Sequence, residues 1–518
     1  MSARRHPLER RASGVLLHPT SLPGPFGCGD LGPAARSFVE RLARARQRWW
    51  QMLPVGPVGP GNSPYSSSSA FAGSALLVSP LDLARDRLLP SELLGRARAR
   101  SRRRADYATA MRVRDRLLRA AFAAFPARAG RRGREQLEAF AHEQGDWLED
   151  HALFEAIKRE EGGAAWIDWP EPLRRRRPGA LAGARRRLAG EIGFRRFVQY
   201  QFDRQWSALR DHARRRGVGL AGDVPFYVQF DSADVWAHPE FFLLDARGRP
   251  RVVAGVAPDY FARDGQRWGN PLWDWGALER DGFSWWAARL ERALARCDWV
   301  RLDHFLGFHR AWSIPASSRT ARRGRYLPGP GLLFFTRIGR RLGGLPFLAE
   351  DLGTVVAAAR ELRDRAGLPG MRVLQFAFGS GPGAEAERPH FHPRRCAVYT
   401  GTHDNDTARG WFHGRRPSHA GSRAELRCER ERVLSYLGTD GREIHWDFIR
   451  AALRSAAETA IVPLQDVLGL GSRARMNRPG TGEGNWEWRF AADDFGAAEC
   501  DRLGELTETY GRASEGSA

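Results

Sequence analysis

The sequence predicts an α/β chain folded as a (β/α)8 barrel, with a helical insertion after the second strand and long loops at the active-site mouth. Three observations carry this expectation. Eight short apolar runs recur along the chain, several of the gaps between them hold amphipathic segments of helical period, and three runs end in an acidic residue where turn residues begin. Near-continuous apolar runs are what parallel strands covered on both faces require. Alternation of such strands with helices argues for a parallel sheet, and eight units argue for closure.

In chain order the runs are GVLLHP (14–19), WWQMLPVGP (49–57), VGLAGDVPFYV (218–228), DWVRLDHF (298–305), PFLAEDLG (346–353), MRVLQFAFG (371–379), CAVYTGTHD (396–404) and AIVPLQDVLGL (460–470). The first gap contains AARSFVERLARARQ (34–47), which places Phe38, Val39, Leu42 and Ala45 on one stripe, the pattern of a helix buried along one face. The gap over 80–195 is too long for a simple crossover. It is rich in Ala, Arg and Glu, and its helical period marks it as an inserted subdomain beside the mouth. The expected organisation is a barrel over 10–79 and 196–512, the insertion over 80–195, and flexible ends at 1–9 and 513–518.

The acids are Asp303 in VRLDHF, Glu350 in LAEDLG and Asp404 in YTGTHDND. A carboxylate at the C-terminal end of a barrel strand is fixed by the sheet and points into a mouth walled by loops, where barrel enzymes build their sites. Any one of them could be a helix cap or an ion-pair partner. Three at successive strand ends, beside Arg301 and His403, match a retaining glycosidase or glycosyl transferase: a nucleophile, an acid/base and a third group gripping the sugar. Arg301 lies two residues before Asp303, so strand alternation puts both on one face, where a guanidinium would aim the carboxylate and keep it ionised. Glu350 would need the opposite, a pKa raised by burial or by neighbouring carboxylates.

Composition narrows the alternatives. A hydrophobic content of 42% over 518 residues suits a large globular core. No run approaches the roughly 18 to 20 apolar residues of a membrane span. The basic N-terminus leads into only GVLL (14–17), short of the about 7 to 15 residues of a secretory signal, so a cytoplasmic location is expected. Cys28, Cys297, Cys396, Cys428 and Cys500 are scattered and odd in number, which argues against a disulfide framework or a zinc site. His304 and His403 lie near acids, but no close ligand pair accompanies them, and neither metal nor organic cofactor is expected. The net charge of +22 is concentrated in RARARSRRRADY (96–107) and RRRRPGALAGARRR (174–187). Neither carries an aromatic platform or a nucleic-acid motif; a solvated arginine-rich face that sticks to polyanions in a salt-sensitive way is the simpler account.

Longer strings point to a family. HPTSLPGPFGCGDLG (18–32), GNSPYSSSSAFAG (61–73), GDVPFYV (222–228), DVWAHPEFF (234–242), VVAGVAPDYFARDGQRWGNPLW (252–273), the three acidic motifs, PLQDVLGLGSRARMNRPGT (463–481) and GNWEWR (484–489) resemble, in order, the amylomaltases, the 4-alpha-glucanotransferases of glycoside hydrolase family 77. The resemblance covers nearly the whole chain. It implies transfer of 1,4-α-glucan segments between maltooligosaccharides by a double displacement, with glucose released from small donors. It also implies Asp303 as nucleophile, Glu350 as acid/base, and Asp404 on the 2- and 3-hydroxyls of the distorted sugar.

The same resemblance brings further residues toward substrate. His403 would donate to a hydroxyl in the subsite of Asp404, and Asp223 ends the third strand, where it serves either the site or the cap of the following segment. The segment 255–271 resembles the family's acceptor-side loop. Its end glycines suggest hinges, and Tyr260, Phe261 and Trp268 offer flat faces for pyranose rings or simply pack the loop down. Tyr65, after strand two, and Asn485 with Trp486, after strand eight, are rim candidates. Ser74, Leu306 and His309 depart from the residues common in the family and bear on acceptor preference. An α-amylase-type hydrolase shares the first chemical step. A noncatalytic glycan- or polyanion-binding protein would have no use for an acid/base pair. Oligomeric state is not legible.

Overall fold

A computed structural model describes residues 6–97, 103–258, 264–353, 357–381, 383–414 and 422–513. Eight parallel strands form the central sheet: β1 (Ala12–Leu16), β2 (Trp49–Gln51), β3 (Gly219–Val224), β6 (Trp299–Leu302), β9 (Phe347–Ala349), β10 (Gly370–Val373), β11 (Cys396–Tyr399) and β12 (Thr459–Pro463). Each falls within or beside one of the eight apolar runs. The hydrogen-bonded order is β10-β11-β12-β1-β2-β3-β6-β9, and the Ala349 amide donates to the Pro369 carbonyl at 2.9 Å, bringing β9 against β10. The sheet is thus a barrel with one thinly bonded seam.

Strand alternation decides what fills it. Trp49 pairs in register with Gly14 and Gly219, and Gln51 with Leu16 and Ala221. Trp49 meets Trp299 edge-on, with ring centroids 5.9 Å apart. One layer higher, the buried Tyr399 hydroxyl donates to Gln51 Oε1 at 2.8 Å, so each of these two buried oxygens has a partner in the core. Outside, the helix Pro33–Arg44 begins with Pro at its first turn, where a missing N–H costs nothing. Its buried Phe38, Val39 and Leu42 are the stripe expected from sequence, and Phe38 packs edge-on to Trp50 at 4.9 Å.

Between β2 and β3 the chain is helical, as expected. Its last helix, Ala189–Arg215, is continuous across residue 195 and touches both the inserted helix Gly145–Glu160 and strand β3. Residues 7–9, expected to be loose, instead form a 3-10 turn that buries Leu8, and Arg512 is fully buried near the other end. Arg512 donates to the Leu453, Ala12, Glu458 and Ala457 carbonyls at 2.7 to 3.0 Å.

A second sheet lies outside what the sequence predicts. Strands β4 (Val252–Val256), β5 (Gln266–Pro271), β7 (Arg310–Pro315) and β8 (Arg325–Pro328) pair antiparallel in the order β5-β4-β7-β8. The segment expected to be a lid loop is therefore strand at both ends. Gly255 is no free hinge: a Cβ there would lie 2.0 Å from the Gln266 carbonyl oxygen, so glycine is required by close strand approach.

Candidate active site

Residues at the C-terminal ends of β3, β6 and β9 gather at one mouth of the barrel. Arg301, on β6, is the centre. Its Nη1 donates to Asp223 Oδ1 at 3.0 Å and Oδ2 at 2.9 Å, and to Asp303 Oδ1 at 2.8 Å. Its Nη2 lies 3.9 Å from Glu350 Oε2. One buried guanidinium thus faces three carboxylates from three adjacent strands, the arrangement strand alternation implied for Arg301 and Asp303. Asp223 does not cap the next segment. Its side chain is wholly buried, held by Arg301 and by the Tyr65 hydroxyl, which donates at 2.8 Å.

The two acids proposed for catalysis differ in surroundings. Asp303 is about a quarter exposed, at 27%, whereas Glu350 keeps 14%. Glu350 accepts from the His304 amide at 2.7 Å and from the Leu352 amide at 3.1 Å. Burial raises its carboxyl to about 8; Arg301 pulls it down, and negative Asp303 pushes it up again. Burial likewise lifts Asp223 to about 7 against the pull of Arg301. His304, the residue after Asp303, has φ of 49°, a left-handed conformation uncommon outside glycine. That turn is what presents its amide to Glu350.

Asp404 stands apart on the opposite side. It is half exposed, accepts from Asn477 Nδ2 at 2.6 Å, and lies 3.4 Å from His403 Nε2. Burial keeps the His403 ring below its usual pKa, so it is a neutral donor or acceptor. His403 stacks on Tyr65 with centroids 5.1 Å apart and planes 20° apart, and Trp486 leans on both at 5.9 and 5.8 Å. Tyr65 is therefore a wall of the site more than a rim group.

Beside His304, Trp268 in β5 is 40% exposed and meets the imidazole edge-on at 4.9 Å. Tyr227 lies 6.0 Å from Trp268 and 5.9 Å from His304. Tyr260 and Phe261 lie outside the described residues. Asn485 is buried, and its amide is spent within its own loop: Oδ1 accepts from the Arg478 amide at 2.9 Å, and Nδ2 donates to the Thr481 carbonyl at 2.9 Å. It shapes the loop that carries Asn477 and does not face the mouth with free hydrogen-bonding groups. Asn477, His304 and Tyr227 touch the candidate residues Asp404, Glu350 and Trp268 and were not singled out as site residues from sequence. The available signal was position: each sits in a string already singled out, and His304 lies directly beside Asp303. Among the departures, Ser74 is buried and caps the turn Ala75–Leu77, while Leu306 and His309 bound the short helix after Asp303.

Such an arrangement suits attack on a sugar's anomeric carbon from one side by Asp303 and protonation of the leaving oxygen by Glu350. Among the described residues no group of His, Cys, Asp and Glu is placed to hold a metal ion, and no helix is long and apolar enough to cross a membrane.

Comparison with known proteins gives one consistent result. The family model described as 4-alpha-glucanotransferase matches residues 17–493. A 4-alpha-glucanotransferase of Thermus thermophilus is 46% identical over 507 residues, covering 97% of this chain and 99% of that protein. The chloroplastic/amyloplastic 4-alpha-glucanotransferase of Solanum tuberosum is 43% identical, covering 98% of this chain and 88% of that protein. The structure of the amylomaltase from Streptococcus agalactiae in complex with acarbose superposes with a TM-score of 0.92 at 35% identity, covering 98% of this chain and all of that one.

Proposed function

The chain belongs to the 4-alpha-glucanotransferases of glycoside hydrolase family 77, and from that premise we propose how its own residues carry out the transfer of 1,4-α-glucan segments between maltooligosaccharides. In the first step an Asp303 carboxylate oxygen bonds to the anomeric carbon as the glycosidic C–O bond breaks. The electron pair stays on the leaving 4-oxygen, which takes the Glu350 proton and departs as the shortened glucan. In the second step the 4-hydroxyl of an acceptor glucan gives its proton to Glu350 and attacks the same carbon, releasing Asp303 and restoring the original anomeric configuration. Arg301 aims the nucleophile, with Asp223 and Tyr65 fixing Arg301 in turn. Asp404 and His403 hold hydroxyls of the sugar being distorted, and Trp268 supplies an acceptor platform.

The observation that carries this reading is Arg301 spanning Asp303 and Glu350 while burial holds the Glu350 proton to about pH 8. A general acid that is ionised at neutral pH could not serve the first step. The helical stretch 80–195 is proposed as a subdomain flanking the mouth and the cytoplasm as the place of action.

Incubation with maltotriose tests the activity. Transfer yields glucose and longer oligomers while total reducing ends stay constant; a rise in reducing ends in step with glucose would mean hydrolysis. Asp303→Asn should lower turnover by several powers of ten in a folded protein, and a slowly turned-over fluorinated glucosyl donor should label Asp303. Label on Glu350 or Asp404 would reverse the assignment.

A further inference from the structure

The turn at Trp486 has a backbone conformation that its side chain disfavours. Its φ is 65°, in the left-handed region that glycine takes freely and a bulky residue rarely does. Such residues persist where the surrounding structure imposes them, and they concentrate at functional sites. Trp486 is also a wall of the candidate site, its buried indole 5.9 Å from His403 and 5.8 Å from Tyr65 between ring centroids.

Both backbone groups of Trp486 are engaged. Its amide donates to the Met476 carbonyl at 2.7 Å, closing the loop that carries Asn477 to Asp404. Its carbonyl accepts from the Tyr107 hydroxyl at 2.9 Å. Tyr107 comes from the insertion and not from the barrel. It opens the helix Tyr107–Arg128, capped by Asp106, whose carboxylate accepts from the Thr109 amide at 2.9 Å. The Tyr107 ring is 4% exposed, and its hydroxyl lies 3.3 Å from Thr20 Oγ1. Thr20 can donate into that oxygen, which leaves the phenolic hydrogen to Trp486. Burial pushes the phenol's pKa up, so the donor persists through the working range of pH.

The pairing continues beyond Trp486. The Ala105 amide donates to the Glu487 carbonyl at 2.6 Å, Arg104 bridges Trp488 antiparallel, and the Arg489 amide donates to the Arg103 carbonyl at 3.1 Å. A strand-like piece of the insertion thus lies along the residues after Trp486 and sets their direction. On the other flank, Asn485 is tied to Arg478 and Thr481. Trp486 cannot leave the left-handed region without moving bonded neighbours on one side or the other.

We propose that Tyr107 is a positioning residue for glucan transfer. Through the Trp486 carbonyl it holds the left-handed turn that seats the indole against His403 and Tyr65, and so sets the grip on the sugar being transferred. His403 lies beside Asp404, and Tyr65 reaches Asp303 through Asp223 and Arg301, so one turn bears on both the sugar and the nucleophile. The insertion is then a working part of the site and not only a neighbour of its mouth. This inference rests on the reading that His403 and Asp404 hold that sugar.

Tyr107→Phe removes one hydroxyl and keeps the ring. Rates are taken per active site, counted by trapping the glycosyl-enzyme with the fluorinated donor, so that a loss of folded protein alone leaves them unchanged. A grip on the distorted sugar counts in the transition state, so kcat for maltotriose should fall about 10- to 100-fold with KM little changed. α-Glucosyl fluoride should lose as much, because it presents the same sugar. Trp486→Gly lacks the indole and takes the left-handed turn unaided; adding Tyr107→Phe to it should cost less than about twofold more. An unchanged kcat per site in Tyr107→Phe overturns the proposal, as does a full second loss in the Trp486→Gly background. Should Tyr107→Phe fail to fold, the parent protein decides. Forming the glycosyl-enzyme should slow deuterium exchange at the Ala105 and Arg489 amides, since coupling is reciprocal, and unchanged exchange at both overturns the proposal. His403→Ala separates the two readings. A fast His403→Ala sinks the sugar grip itself, whereas a slow His403→Ala with a fast Tyr107→Phe sinks only the role of Tyr107.

Discussion

Glu350 shows how a side chain's surroundings select its chemistry. Two backbone amides and Arg301 all favour its charged form, yet burial and the nearby Asp303 outweigh them and raise the carboxyl to about 8. The acid required by the first step is then present below that pH and lost above it. The kcat/KM for maltotriose should therefore fall as pH rises through about 8, while formation of the glycosyl-enzyme from α-glucosyl fluoride, whose leaving group needs no proton, should show no fall there. Glu350→Gln should cost about 100- to 10,000-fold on maltotriose, remove the alkaline limb, and spare the fluoride reaction. Equal losses on both donors, or the same limb with both, would deny Glu350 the acid role. Of this residue, sequence could supply position and need, but not the shift. The shift comes from burial among elements far apart in the chain and from Asp303, and burial of that kind is encoded by no local pattern.

At the scale of elements, the antiparallel sheet explains how a solvent-facing indole is held over the mouth. Trp268 lies in β5 where the pairing with β4 shifts register, between the paired Arg267 and Pro271, and β4 is paired in turn to β7, so paired backbone on both sides and the His304 ring hold its platform. A stacked sugar gains on the order of 1 to 2 kcal/mol from such a face. Trp268→Ala should therefore weaken acceptor capture about tenfold, and water, which needs no platform, should take a larger share of the intermediate. New reducing ends per glucosyl unit moved should rise, with the initial rate falling less than in Glu350→Gln. An unchanged ratio at low acceptor concentration would place acceptor control elsewhere. The barrel strands were legible because each is a compact apolar run with its own hydrophobic signal. Strands β5 and β8 were not, since QRWGNP and RYLP are polar or proline-containing and owe their pairing to partners elsewhere in the chain. Asn485 shows a related ambiguity: a polar residue near a strand end can face substrate or tie its own loop, and the bonds to Arg478 and Thr481 favour the second.

For the whole molecule, the open matter is what a net charge of +22 does. Much of it is spent within the protein. In the run 174–187, Arg176 pairs with Asp150 at 2.6 Å and lies over Trp236, Arg187 pairs with Glu160, and Arg175 pairs with Glu171. In the other run, residues 98–102 lie outside the described residues, while Arg103 and Arg104 reach Asp494 and Glu487 and so tie the insertion to the segment bearing Trp486. These residues should not be altered in a test of surface charge. Arg185 and Arg186 are exposed near the end of the helix Pro178–Arg187; there they suit the helix dipole and face solvent. Replacing both with Gln should leave kcat/KM for maltotriose within about twofold, because surface charge away from a neutral substrate changes neither binding nor chemistry. Retention on heparin should weaken, and the slope of log affinity against log salt should become shallower by about one unit for each heparin sulfate that the protein no longer neutralises. A large fall in glucan transfer by a folded Arg185→Gln/Arg186→Gln protein would instead mean that this end of the insertion handles glucan directly, and the charged face would have to be counted as part of the substrate path.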